Sequence, residues 1–312
     1  MRRTGHRLML REFSTDRSIK TLINYELTAS SKNDRLVCII PGTAQTISSW
    51  IGHKKPISRR YNLLQYETRG QGSTRLPLTD CSLARHVDDF LKLLDSLPSP
   101  MNSKVDLCGF SFGGRVALAI AAAAPSRVRK MVLTGVPAER TSQGLDILNG
   151  WKDMLRRDDL KSFVWQAMLD GHSESFLKRH ENKLSKWVES SVSQNRADAI
   201  LAIVDQTHHE DMSSPYHSVR FTRSCSHGKL LTSKTRYTHK HTQIRLAERI
   251  PHNSNDVLFI GGSEDKISEP DQIARLANVG NWQFDLIQGA GHAVPIEKPI
   301  DWRNRVLSFF DS

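Results

Sequence analysis

The strongest constraint on this chain lies between residues 104 and 124. Lys104 to Cys108 is a short run of strand type. Phe112 to Ala124 is an Ala-rich helical stretch closed by Pro125, and only Gly109-Phe110-Ser111 separates the two. A strand that passes into a helix over so few residues must turn sharply, which leaves the residue at the apex in a strained backbone conformation. Side chains on either side of the apex would collide with it, and Gly109 and Gly113 remove them. Gly114 extends the small-residue stretch where helix and sheet must approach closely. The G-x-S-x-G pattern alone is cheap. With Gly and Ser each about 7% of residues, it recurs by chance in roughly one chain of this length in ten. The strand before it and the helix after it supply the weight. The turn exposes the Ser111 hydroxyl near a helix N-terminus, whose dipole favours developing negative charge. Ser111 is therefore read as a nucleophile.

The rest of the chain repeats the alternation. Short apolar runs at Thr21–Leu27, Leu36–Ile40, Tyr61–Tyr66, Met131–Leu133, Val257–Ile260 and Trp282–Ile287 read as strands. Helical periodicity marks Leu83–Leu97, the stretch around Gln272–Ala277, and Ile300–Phe310. Strands alternating with helices predict an α/β fold with a mostly parallel twisted sheet flanked by helices. The rhythm breaks from about Ala138 to Ile250, where Leu145–Leu155, Leu160–Leu169, Phe176–Val188 and Ala197–Val204 all read as helices. The expected organisation is a core in two parts, residues 1–137 and 251–312, with a helical lid over 138–250. His208 to Thr242, rich in Ser, Thr, His and basic residues, is expected to form a long irregular loop.

A serine hydroxyl needs a base. With 13 histidines in the chain, position has to select one. Gly289-Ala290-Gly291-His292 follows a strand, and its small residues let the loop carry an imidazole across to Ser111. The imidazole needs an orienting acid. Asp265, in Gly261-Gly262-Ser263-Glu264-Asp265 directly after the strand Val257–Ile260, is preferred over its neighbour Glu264, because ligands bind where parallel strands end. The acid would fix the His292 tautomer and stabilise the imidazolium.

The order Ser111, Asp265, His292 is that of α/β-hydrolases, and the chain resembles that superfamily in its esterase-like branch with a helical lid. Ile40-Pro41-Gly42-Thr43 stands where the family usually has His-Gly, and Arg69-Gly70-Gln71-Gly72-Ser73 looks like its R-G-x-G-x-S turn. The resemblance covers residues 20–137 and 245–310. It implies an oxyanion hole built from the backbone N–H groups of Phe112 and Thr43. It also implies a serine hydrolase cleaving a carboxylic ester or related acyl bond of a small-molecule substrate, with no cofactor and no metal. A thioesterase, a lactonase, a C–C bond hydrolase or a non-catalytic ligand-binding member would carry the same triad. Two departures stand out: Pro41 replaces the usual His, and the Ser111–Asp265 interval is longer than in compact members. Trp151, Leu155, Phe163, Trp165, Met168 and Phe176 are candidates for the pocket wall, with packing among lid helices as their alternative role. Arg69 reads as a structural ion-pairing residue.

The formal charge of +11 raises the question of nucleic acid. The excess sits in Arg2, Arg3, Arg7 and Arg11 and in a segment from Arg220 to Arg249 that holds eight basic residues against Glu248. No helix-turn-helix, zinc-finger or RNP signature accompanies it, so no nucleic acid is expected. A solvated basic surface is the simpler reading, and an acidic partner for the basic segment is the alternative. Six of the histidines fall between 208 and 241 without the regular spacing of metal ligands. No run of about 18 apolar residues predicts a membrane span. The N-terminal pattern breaks any signal segment, and Cys38, Cys81, Cys108 and Cys225 read as free thiols. A cytoplasmic location is expected.

Overall fold

The structure of the protein, a computed structural model, describes residues 19–30, 32–208, 242–251 and 256–312. Its centre is a seven-stranded sheet. The strands are β1 (Tyr25–Thr28), β2 (Leu36–Ile40), β3 (Asn62–Tyr66), β4 (Val105–Phe110), β5 (Val128–Thr134), β6 (Val257–Gly262) and β7 (Gln283–Ile287). They lie in the order β1-β3-β2-β4-β5-β6-β7. Only β1 runs antiparallel, pairing Tyr25 with Tyr66 at one edge of the sheet. The pairs from β3 to β7 are all parallel.

Parallel strands covered on both faces become continuous apolar runs, and β2 shows why. Successive side chains alternate between faces. Leu36, Cys38 and Ile40 enter one core layer with α3 (Leu83–Asp95) and α4 (Phe112–Ala123). Val37 and Ile39 enter the opposite layer, with α2 (Ile51–Ser58) and the last helix, Pro299–Asp311. Arg69 bridges the turn after β3 to α3. Its Nε and Nη2 donate to the Asp89 carboxylate at 2.8 and 2.7 Å, and both side chains are buried. Burial in turn raises the Asp89 pKa, against the pull of Arg69. Such bidentate geometry is what guanidinium provides and ammonium does not.

Between β5 and β6 no strand occurs among the described residues. The chain runs through α5 (Ser142–Arg156), α6 (Leu160–Gly171), α7 (Glu174–Arg179), α8 (Glu181–Gln194), α9 (Ala197–His208) and α10 (Thr242–Glu248). Side-chain caps start three of these helices: Thr141 accepts from Gly144 N–H, Asp159 from Ser162 N–H and Ser173 from Phe176 N–H. After β6 come α11 (Pro270–Val279), then β7, α12 (Val294–Glu297) and α13 (Pro299–Asp311). Among the described residues no helix is long and apolar enough to cross a membrane. Cys38, Cys81 and Cys108 are buried and unbridged, and Cys225 lies outside the described residues.

Two sequence readings differ from the structure, and one helix lies where no element is read. The strand expected over Thr21–Leu27 is a short helix, α1 (Ile19–Leu22), followed by β1. The helix expected over Phe176–Val188 is two, because the His180 ring bonds the Phe176 carbonyl at 2.9 Å and ends α7 there. Helix α2 has no clear signature in the sequence, since it contains Gly52 and Pro56. The irregular segment expected over 208–242 lies, apart from its ends, outside the described residues, as do the histidine cluster and most of the basic run.

Candidate active site

Strand β4 ends at Phe110, and Ser111 turns directly into α4 with φ 52° and ψ −116°. A positive φ on a residue with a Cβ is strained, and the surrounding backbone holds it there. Ser111 N–H donates to the Thr134 carbonyl at 2.8 Å, while the Ser111 carbonyl accepts from Gly114 and Arg115. The glycines are needed for contact with backbone rather than for freedom. A Cβ on Gly113 would sit 2.1 Å from the Ile40 carbonyl oxygen, and one on Gly109 would sit 2.6 Å from the Gly114 Cα.

His292 arrives from the loop after β7. Its Nε2 lies 2.8 Å from the Ser111 Oγ, and its Nδ1 lies 2.8 Å from the Asp265 Oδ2. A carboxylate can only accept, so Nδ1–H donates to Asp265 and the neutral ring leaves Nε2 free to accept the Ser111 O–H. The Asp265 Oδ1 is engaged by the N–H groups of Ile267 and Ser268 at 2.9 and 2.8 Å, which lock the carboxylate in place. Asp265 and His292 are buried, whereas Glu264 is exposed. The β6 and β7 loops are in backbone contact, since a Cβ on Gly262 would lie 2.1 Å from the Gly291 oxygen. One carboxylate, Glu297, joins the His292 loop to the start of α7.

Ser111 shares a narrow cavity with Thr43, Phe112, Arg115, Arg140, Leu148, Trp151, Val204, Thr207 and Ile267. The structure thus brings Thr43 and Phe112, the two residues expected to supply backbone donors, to the same cavity as the serine. The loop carrying Thr43 is held on two sides: Gln45 Oε1 accepts from Gly42 N–H at 3.0 Å, and Asn195 at the end of α8 donates to the Ala44 carbonyl at 3.1 Å. Of the six wall candidates, Trp151 reaches the cavity. Leu155, Phe163, Trp165 and Met168 pack into the core, and Phe176 stacks on His172 at 4.9 Å.

Sequence reasoning misses Arg115 and Arg140. The signal for Arg115 is its position one helical turn after Ser111, which places both on one face of α4. No comparable signal marks Arg140, which follows β5 and donates to the Ile267 carbonyl at 3.3 Å. Arg115 donates to the Thr207 carbonyl across the same cavity. Burial, and then the like charge of Arg115, pull the Arg140 guanidinium down to about 9, while Asp265 opposes the shift. Two guanidiniums therefore face a pocket whose nearby carboxylate is already committed to His292. Among the described residues no group of three His, Cys, Asp or Glu side chains comes together as a metal site.

Comparison with known proteins follows this architecture. The chain is 30% identical over 95 residues to the pimeloyl-[acyl-carrier protein] methyl ester esterase of Nitrosomonas europaea, a segment covering 30% of this chain and 34% of that protein. It is 33% identical over 96 residues to serine hydrolase BPHL of Mus musculus, covering 31% and 33% of the two chains. The chain thus spans about a third of the length of these two relatives. The enol-lactonase of Burkholderia xenovorans LB400 superposes with a TM-score of 0.74 at 17% identity, over 93% of this chain and 96% of that one, a likeness of fold. The sequence profile of the alpha/beta hydrolase fold matches residues 35–299, and the chain belongs to that family.

Proposed function

We propose that this chain is a serine hydrolase cleaving a carboxylic ester or related acyl bond, with Ser111, His292 and Asp265 as its catalytic triad. The observation that carries the reading is the unbroken hydrogen-bonded chain from Ser111 Oγ through the imidazole to Asp265. His292 Nε2 takes the Ser111 proton as Oγ attacks the carbonyl carbon, and the imidazolium is stabilised by Asp265. The N–H groups of Phe112, at the start of α4, and of Thr43 hold the oxyanion. Collapse of the tetrahedral intermediate expels the alcohol, protonated by His292, and leaves an acyl-Ser111. Water, deprotonated by His292, then attacks that ester and releases the acid. The relatives named for a methyl ester esterase and a serine hydrolase support this chemistry.

Helices α5 to α9 act as the lid in this reading, while α10 packs on α4 and α11. The cavity at Ser111 measures about 20 Å³, room for a water and little more. An acyl group therefore enters only as α5 and α9, which supply Leu148, Trp151 and Val204, move outward. Once inside, it meets Arg115 and Arg140, and a substrate carrying an anionic group near the scissile carbonyl suits that pair.

A fluorophosphonate probe tests the nucleophile. It labels the wild type, and Ser111→Ala abolishes labelling; labelling that survives the substitution refutes the reading. Paired chromogenic esters, one with a terminal carboxylate and one neutral, test the pocket. Arg140→Met lowers kcat/KM for the anionic ester by about tenfold or more and leaves the neutral ester within about twofold. Equal losses on both would show that Arg140 only supports the Asp265 loop.

A further inference from the structure

The carboxylate of Glu297 is buried, 7% exposed, at the end of α12, five residues after His292. One oxygen, Oε1, accepts the Gly291 N–H at 2.8 Å. The other, Oε2, accepts both the Ser173 N–H, at 3.1 Å, and the Ser173 hydroxyl. Ser173 is itself the cap of α7, accepting from Phe176 N–H at 3.3 Å. On the other side of His292, the Ala293 N–H donates to the Gly171 carbonyl at 2.8 Å. The peptide groups flanking the imidazole on both sides are thus tied to the same connection, Gly171–Ser173, between α6 and α7. The two segments touch, since a Cβ on Gly291 would lie 2.9 Å from the His172 carbonyl carbon and the Ser173 nitrogen.

A buried carboxylate is costly unless donors saturate it, and an apolar side chain would fill the same space more cheaply. Three donors converge here, from two segments far apart in the chain. A carboxylate is the group that can accept from both at once, because each of its oxygens is an acceptor.

We infer that Glu297 is a positioning residue that sets the His292 loop against the helices over the pocket. The inference rests on His292 being the base proposed above. Glu297 touches no reacting atom; it acts by holding the peptide on the N-terminal side of His292. It also lies near the imidazole of His172. His172 bonds the Met168 carbonyl through Nδ1 and feels Glu297, His292 and His180. Lys298 follows Glu297 in the chain and lies near Gly289.

The test compares wild type, Glu297→Gln and Ser173→Ala by three readouts: melting temperature, kcat and KM on a neutral chromogenic ester, and the rate of fluorophosphonate labelling. Glutamine keeps the shape but turns one acceptor into a donor that faces another N–H. Glu297→Gln is expected to lower kcat about tenfold or more with KM within about twofold, as small misplacements of a catalytic group do. Ser173→Ala, which removes one of the three donors, shifts kcat the same way by a smaller factor. A folded Glu297→Gln protein with wild-type kcat overturns the inference, as does a kcat loss that merely tracks the folded fraction. Should Glu297→Gln not fold, Ser173→Ala decides, and unchanged kcat in that variant overturns it. A wild type that is not labelled at all overturns the hydrolase reading and this inference with it. A labelled wild type matched by an equally reactive Glu297→Gln overturns this inference alone.

Discussion

The turn at Ser111 and the helices between β5 and β6 face each other across one cavity, yet different atoms hold them. Around Ser111 the contacts are backbone on backbone: Gly113 against the Ile40 carbonyl, Gly109 against Gly114, Gly262 against the Gly291 carbonyl. Across the cavity, α5 and α9 are set by a side-chain cap on α5 and by apolar packing, and backbone contact ties in the connection from α6 to α7. A methyl added at Gly150 in α5, or at Gly171 at the end of α6, would meet nothing within 4 Å. Backbone contacts leave no slack, because peptide atoms cannot rotate away. Side-chain contacts can rearrange, so helices held by them can shift where the serine turn cannot. Tolerance to change in this molecule therefore differs between the two walls of one cavity.

Substitutions can break that contrast. The largest effect is expected at Gly113. A methyl 2.1 Å from the Ile40 oxygen forces β2 and α4 apart, so Gly113→Ala loses more than about 3 kcal/mol and yields little folded protein. A soluble Gly113→Ala protein with a wild-type denaturation midpoint would remove the distinction between the two regions.

Acid is expected to weaken the sheet-flanking layers by an intermediate amount. His86 in α3 packs edge-on against Phe112 at 5.0 Å, and His53 in α2 bonds the Pro295 carbonyl at 2.9 Å. Burial lowers His86 to about 3 and His53 to about 4, from an ordinary value of 6.5. Above about pH 6.5 both are neutral whether folded or unfolded, so their packing is fully effective. As pH falls below about 6.5 the unfolded chain takes up protons that the folded chain refuses. Each group then removes up to about 1.4 kcal/mol per pH unit until its folded pKa is reached. Urea midpoints measured between about pH 7 and about pH 5 fall accordingly, and His86→Leu flattens the slope. A slope unchanged by that substitution would show that His86 is not the group titrating.

The smallest effect lies on the other side of the cavity. Gly150→Ala places a methyl in open space on α5 and gains about 0.5–1 kcal/mol, from higher helix propensity and a less disordered unfolded chain. A loss in thermal stability would mean that α5 is as tightly fitted as the serine turn.

The parts of the fold that are legible in the sequence are those where one residue type serves one physical demand. β2 and β6 read clearly because both faces of each are buried, so every position is apolar. The strand-to-helix turn reads clearly because only glycine fits at 109 and 113. Edge strand β1 does not, since its residues are all half-buried and the short helix before it shares their pattern. Helix α2 is masked by Pro56, and the break at His180 depends on a ring-to-carbonyl bond that periodicity cannot reveal.

The candidate site divides in the same way. Chain order and strand ends select Ser111, Asp265 and His292 from the sequence, and the structure brings these three side chains within hydrogen-bonding distance. Arg140 escapes a sequence reading because arginine is common in a chain of net charge +11 and nothing local marks it, whereas the one signal for Arg115 is its spacing from Ser111. Glu297 escapes it because its partner Ser173 lies in a distant segment of the chain.

The sequence by itself determined the alternation of strands and helices, the apex serine and the order of Asp265 and His292 behind it, because glycine spacing and apolar runs are local demands of the backbone. The tertiary structure supplies the physical reason that Asp265, and not Glu264, meets His292. The two acids are adjacent in the chain, but the turn after β6 buries one against the Ile267 and Ser268 amides and leaves the other in solvent. It alone placed two guanidiniums beside Ser111 and one carboxylate behind His292, since those contacts join segments whose separation in sequence carries no trace of their distance in space.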